Sequence, residues 1–207
     1  MRIVCISDTH GFHHQLELPD GDILIHAGDF SKQGTPEEIH SFLTWFNEQA
    51  FTHKIFIAGN HDFLAETDPI RFREMIPSGL IYLENDGIEL EGQYFWGSPI
   101  TPWFFDWAFN RHRGEEIQPY WEAIPPETSV LITHGPPYGI RDLNVQGQLT
   151  GCGDLNRRIW QVRPSLHLFG HIHEAYGITD IDGIRFVNAA MLDVDYQEFR
   201  QPIVLEL

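Results

Sequence analysis

Residues 2–10, RIVCISDTH, run four apolar side chains (Ile3, Val4, Cys5 and Ile6) into Ser7 and then into Asp8-Thr9-His10. A continuous rather than alternating apolar run marks a strand covered on both faces, as in the interior of an α/β sheet. The arrangement recurs twice just downstream. Residues 22–27, DILIHA, end at Gly28-Asp29, and residues 54–58, KIFIA, end at Gly59-Asn60-His61-Asp62. Between these runs, Thr35-Pro36-Glu37-Glu38 supplies an N-cap, a proline at the first helical position and a capping-box glutamate. The helix that follows carries Ile39, Phe42, Leu43 and Phe46 on one face, the spacing of an amphipathic helix. Strand, helix and strand in this order predict right-handed crossovers and a partly parallel sheet.

Working outward, short strands are expected at residues 80–83, 87–90 and 93–96, then a Pro- and aromatic-rich loop over residues 98–110. Buried strands at 129–133 and 165–169 end at His134-Gly135 and Gly170-His171-Ile172-His173, with a helix near 154–162 between them. Strand-like runs at 176–181, 184–187 and 203–207 close the chain. No repeat, low-complexity segment or Pro/Ser/Gly linker interrupts it, so one domain over residues 1–207 is expected.

Composition narrows the function. With 207 residues, 42% apolar and 13% aromatic, the chain can bury a substantial core, and 21% charged residues do not suit a disordered or coiled-coil protein. A formal charge of −17 opposes tight binding to long nucleic acids or anionic membranes, because the long-range field repels polyanions. A small anionic substrate remains compatible if strong positive charge is concentrated in the site. There is no apolar stretch of membrane-spanning length and no secretory signal before the first strand, and Cys5 and Cys152 are too few for a disulfide framework. A reducing cytoplasm is therefore the expected compartment. Twelve histidines, almost as many as the 13 lysines and arginines together, direct attention to metal binding.

Five apolar strands each run into residues able to hold a metal: Asp8 and His10, Asp29, Asn60 through Asp62, His134, and His171 with His173. A largely parallel sheet would gather all five clusters at its carboxyl edge, where open α/β sheets bind ligands. Mixed carboxylate, amide and imidazole donors without thiolate suit Mn²⁺, Fe²⁺ or Zn²⁺ better than an all-oxygen Mg²⁺ or Ca²⁺ site. Seven ligands exceed the needs of one tetrahedral ion, and two metals are the natural number.

The ordered set D-x-H, GD, GNHD, H and GHxH, spanning Asp8 to His173, resembles the calcineurin-like metallophosphoesterase superfamily. The stretches GSPITPWFFDWAFN, LITHGPPYGI and FGHIHEAYG further resemble its metallophosphoesterase-domain branch, which holds cyclic-nucleotide and nucleotide phosphodiesterases. Thr133 stands where a glycine often precedes the histidine, which leaves the His134 side chain unaffected. The resemblance implies an α/β fold with a β-sandwich core flanked by helices and a metal site at the strand carboxyl ends. It implies one divalent ion on Asp8, His10, Asp29 and His173, and a second on Asp29, Asn60, His134 and His171, with Mn²⁺ favoured and Fe²⁺, Zn²⁺ or Co²⁺ possible. It further implies hydrolysis of small phosphodiesters such as cyclic nucleotides by a metal-bridging hydroxide, with His61 assisting the leaving group and Asp62 orienting its ring. A phosphomonoesterase using the same groups is the alternative, and a non-catalytic metal-binding scaffold a more distant one.

Other residues carry weaker signals. Trp103 and Trp107 in the aromatic loop could form a wall for a nucleobase, and Arg111 and Arg113 beyond it could fork onto a phosphate, although satellite packing and surface ion pairs are the commoner uses. His26 and His167 lie within strands and read as core or supporting histidines, whereas His13 and His14 read as a solvated pair. Asn188 reads as a turn residue, and oligomeric state is not encoded in any of these features.

Overall fold

The computed structural model describes all 207 residues and contains two sheets that share one interior. The first is built from β1 (Arg2–Ile6), β2 (Ile23–His26), β3 (His53–Phe56) and β4 (Ile81–Tyr82), all parallel, with β13 (Ile203–Glu206) antiparallel beside β1. In the second, β6 (Gln93–Ser98), β9 (Val130–Thr133), β10 (Leu166–Phe169) and β12 (Ile184–Asn188) run parallel. It is closed at its edges by antiparallel β5 (Asp86–Leu90) and β11 (Gly177–Ile181).

The apolar strands are continuous because both of their faces are buried, and the period-2 alternation divides the two faces. Ile3, Cys5, Ile23, Ile25, Ile55 and Ile57 point into the space between the sheets, where they meet Phe95, Val130, Ile132, Leu166 and Leu168. Val4, Ile6, Leu24 and Phe56 point outward under helix α1 (Pro36–Glu48), which presents Ile39, Phe42, Leu43 and Phe46. The expected capping box is present: the Thr35 side chain accepts from the Glu38 amide, and the Glu38 carboxylate accepts from the Thr35 amide at 3.1 Å. Helices α2 (Phe63–Thr67) and α3 (Pro69–Met75) follow β3, while Trp121 of α4 (Gln118–Glu122) and Leu155 and Ile159 of α5 (Gly153–Val162) are fully buried. No helix is long and apolar enough to cross a membrane.

The five clusters do meet at carboxyl ends, but of two sheets rather than one. Strands β1, β2 and β3 deliver Asp8 to His10, Asp29, and Asn60 with His61; β9 and β10 deliver His134 and the His171–His173 turn from the facing sheet. Main-chain bonds sew the two sheets together at this end, with Met191 donating to the Ser7 carbonyl at 2.9 Å and a bridge pairing Ser7 with Ala190. The loop at 98–110 is also more ordered than its composition suggests: β7 (Thr101–Pro102) and β8 (Asn110–Arg111) pair across it as a short parallel ribbon.

Candidate metal centre

The turns that carry the cluster depart from ordinary strand geometry. Asp8, His10, Asp29 and His171 adopt left-handed backbone angles, with φ of 53°, 42°, 57° and 68°. Asp and His tolerate that region better than most residues, yet it is unfavourable and such outliers gather at functional sites. Compensating hydrogen bonds hold the turns: the Asp8 amide donates to the Gly28 carbonyl at 2.9 Å and the His10 amide to the Asp29 carbonyl at 3.0 Å. Close approach makes two glycines obligatory. A Cβ on Gly59 would lie 2.2 Å from Asp29 Oδ1, and one on Gly170 would lie 2.0 Å from Asp8 Oδ2.

Four imidazoles are oriented by main-chain carbonyls. His134 Nδ1 donates to Ala27 at 2.9 Å, His173 Nδ1 to Leu192 at 3.0 Å, His61 Nδ1 to Lys32 at 2.8 Å and His10 Nδ1, more loosely, to Ser31 at 3.3 Å. A neutral ring that donates from Nδ1 presents a lone pair at Nε2. These lone pairs converge on one another and on acceptor oxygens. His10 Nε2 faces His173 Nε2 at 3.3 Å, and His134 Nε2 faces Asn60 Oδ1 at 2.9 Å and Asp29 Oδ2 at 3.2 Å. Acceptors packed against acceptors require positive charge between them, from a proton or a cation. The donor set therefore fits divalent metal. Ligand atoms of Asp8, His10 and His173 lie within 4.8 Å of one another, as do those of Asp29, His134 and His171. His10, Asp29 and His61 form a third such group, so His61 borders the same space.

Without metal, the electrostatics show the same demand for a cation. Burial favours the neutral form of the Asp29 carboxyl, but His134, His61 and His10 around it hold its pKa well below the usual carboxylate range. Burial would also lower the His134 pKa, but Asp29 and Asp8 prevail and push it up to about 9. Burial lowers His10 and His171 to about 4, in spite of the same carboxylates. Asp29 and His134 thus favour positive charge between them, which a divalent ion held by both would supply.

Asp62 does not orient His61, in contrast to the expectation. Its buried carboxylate instead accepts four hydrogen bonds: Asp29 N at 2.9 Å and Gly59 N at 2.8 Å on Oδ2, and Ser31 N at 3.0 Å and Ser31 Oγ at 2.6 Å on Oδ1. It therefore clamps the turn after β2 to the turn after β3. The His61 ring is placed by the Lys32 carbonyl and by Trp107, whose ring centroid lies 4.2 Å away, while Nε2 lies 4.0 Å from Asp29 Oδ2.

Trp107 is thus part of the site's surroundings, but Trp103 is half exposed and stacks on His112 with centroids 5.5 Å apart. Neither arginine is free to grip a phosphate. Arg111 bonds Glu66 at 3.0 Å and the Tyr120 hydroxyl at 3.1 Å, and Arg113 donates to the Gly151 and Thr150 carbonyls at 2.8 and 2.9 Å. His26 and His167 support neighbouring turns as anticipated, bonding Thr9 Oγ1 at 2.9 Å and Thr133 Oγ1 at 2.8 Å. His13 departs from the solvated reading: it is buried against Phe42 and Trp45 of α1. Asn188 is also more than a turn residue, since its buried amide donates to the Ile172 carbonyl at 2.9 Å and pins the His171–His173 turn. Lys32 and Tyr196, which sequence patterns did not single out, border the centre beside His10 and His61.

The two sheets, the five strand-end turns and the convergent lone pairs define a metallophosphoesterase fold. The chain belongs to the calcineurin-like phosphoesterase family, whose model it matches over residues 1–175 and whose members are dinuclear metal-dependent phosphoric ester hydrolases. It is similar to Metallophosphoesterase domain-containing protein 1 of Homo sapiens, at 37% identity over 230 residues covering 100% of this chain and 71% of that protein. Among solved structures, phosphopantetheinyl hydrolase from Mycobacterium tuberculosis has a TM-score of 0.64 and 16% identity, covering 97% of this chain and 95% of its own. The protein TT1561 of Thermus thermophilus has a TM-score of 0.62 and 14% identity, covering 91% of this chain and 88% of its own. At these identities the structural likeness speaks for the fold alone.

Proposed function

We propose that this chain is a dinuclear phosphodiesterase acting on small nucleotide-like diesters, cyclic nucleotides among them. In this reading Asp8, His10, Asp29 and His173 hold one ion and Asp29, Asn60, His134 and His171 the other, with Mn²⁺ favoured and Fe²⁺, Zn²⁺ or Co²⁺ suited to the same donors. Two divalent ions held by these residues would supply Lewis acidity toward phosphoryl oxygens and toward water. The protein's own part is positional. The main-chain carbonyls of Ala27, Ser31 and Leu192 keep the ligand imidazoles turned inward, and Asp62 fixes the distance between the Asp29 and Asn60 turns. His61, its Nδ1–H held on the Lys32 carbonyl, is the group that would pass a proton from Nε2 to the departing ester oxygen.

The observation carrying the choice of diester is the internal engagement of Arg111 and Arg113. A phosphomonoester presents close to two negative charges at neutral pH, and a guanidinium fork is the usual means of gripping them. A diester presents one charge and an extra apolar substituent, which suits a site bordered by Trp107 and Phe12. The test compares bis(4-nitrophenyl) phosphate with 4-nitrophenyl phosphate, each with Mn²⁺, Co²⁺, Zn²⁺ and Mg²⁺, followed by 2′,3′- and 3′,5′-cyclic nucleotides. Faster turnover of the diester is expected; a clear preference for the monoester would replace this reading with a phosphomonoesterase.

A further inference from the structure

A cavity of about 280 Å³ beside the metal centre is lined by His10, Phe12, Lys32, His61 and Tyr196. Lys32 is the sole permanent cation in that lining, and it takes part in none of the chain's salt bridges. Its ammonium lies 3.9 Å from the centre of the Phe12 ring, and its side chain leans back across Gly11. The other lysine, Lys54, is fully engaged, donating to the Asn47 and Gln49 carbonyls at 2.6 and 3.2 Å. In a chain with 30 acidic residues against 13 basic ones, an ammonium at the mouth of the site without a carboxylate partner is unusual. Holding it against an aromatic face keeps it oriented and leaves its charge available.

The position also has a direction. Lys32 accepts the His61 Nδ1–H through its own carbonyl, and the two residues line the same cavity. Tyr196 borders the same cavity, its ring centroid 4.9 Å from His10 and 5.3 Å from His173, on a backbone held at φ 57°. The ammonium rests on the Phe12 ring, so the metals would hold the scissile phosphate and leave the ammonium for something farther out.

We infer that Lys32, with Tyr196 beside it, forms a subsite for a second phosphate on the leaving-group side, so that the favoured diesters carry a phosphate beyond the scissile one. For catalysis this rests on the phosphodiesterase reading; for binding it does not. The test uses two matched pairs. Adenosine 3′-monophosphate and adenosine 3′,5′-bisphosphate are titrated calorimetrically into Mn²⁺-loaded protein, and 2′,3′-cyclic AMP is compared as a substrate with its 5′-phosphorylated form. A charged partner for the distal phosphate should favour the phosphorylated member of each pair by roughly 10- to 100-fold. Lys32→Met should reduce both ratios to within about twofold, Lys32→Arg should keep them, and Lys32→Glu should invert them. Ratios cancel any loss common to both ligands. Equal binding by the wild type, or an equal loss for both members in Lys32→Met, would overturn the subsite and place the ammonium, if anywhere, on the scissile phosphate. A preserved binding ratio without turnover of any diester would remove the phosphodiesterase reading and leave the subsite standing.

Discussion

Asp62→Asn tests whether the buried carboxylate is a clamp between turns or a partner of His61. In the wild type each oxygen accepts two hydrogen bonds, from Asp29 and Gly59 amides on one side and from the Ser31 amide and hydroxyl on the other. An asparagine keeps one acceptor oxygen. Placed toward Asp29 and Gly59 it satisfies both amides, and its NH₂ then faces Ser31. The Ser31 hydroxyl can rotate to accept, but the Ser31 amide cannot and is left buried without a partner. One orphaned donor costs about 1–3 kcal/mol. Asp62→Ala would strand three main-chain donors, a loss of roughly 3–9 kcal/mol on the same scale, comparable with the whole stability of a domain. Asparagine is therefore the informative change. Urea unfolding of chelated protein should show a loss of about 1–3 kcal/mol, and metal analysis should show weakened retention because the Asp29 and Asn60 turns are no longer fixed. A variant with unchanged stability and full metal content but depressed turnover would refute the clamp and restore the orienting role.

Asp29→Ala should lower retention of both metals and abolish turnover, since this carboxylate faces His134 at 3.2 Å and His10 at 3.9 Å; two tightly held ions would contradict a bridging position. His61→Ala should keep its metals and lose roughly 10²–10⁴ in turnover, most severely for diesters with poor leaving groups, and an equal loss on nitrophenyl and alkyl esters would argue against proton donation. Stability of the chelated protein should fall as pH drops below about 6.5, because burial depresses His26 and His167 to about 3 and the unfolded chain then binds protons that the folded chain refuses. Their contribution is fully present above the unfolded pKa and declines toward the folded one, and His167→Phe should flatten the decline measured by urea unfolding between about pH 4.5 and 7.

What the sequence made legible was which side chains the strand-end turns bring together, because strand end and ligand type coincide five times. Apolar patterning by itself did not reveal that the donors arrive from two facing sheets; the family resemblance implied it through the β-sandwich core, which is present. Ile3 and Cys5 face the second sheet while Val4 and Ile6 face α1, but both pairs are equally apolar, so the alternation carries no compositional trace. Helices α2 and α4, of five residues each, are too short to display a period. His13 looks like a surface residue beside His14 until Trp45 and Phe42 close over it from a distant helix. Lys32 and Tyr196 come together only because the first sheet and the loop after β12 meet at the same edge.

The deepest reason lies in what fixes the imidazoles. Ala27, Ser31, Lys32 and Leu192 set the tautomers of four histidines with carbonyl groups that every residue possesses, so no side-chain pattern can announce them. The identity of those four residues matters little to that bond; the path of the chain through them matters a great deal. That path is held by strained turns at Asp8, His10 and Asp29, by glycines admitted where a Cβ would strike a carboxylate, and by Asp62 tying two turns together. The motif residues supply the donors, and the backbone supplies the tautomer. Substituting a ligand should therefore remove one donor, whereas disturbing a turn should rotate several lone pairs away from the centre at once. On this reasoning the changes most damaging to metal retention include some at residues that never touch a metal.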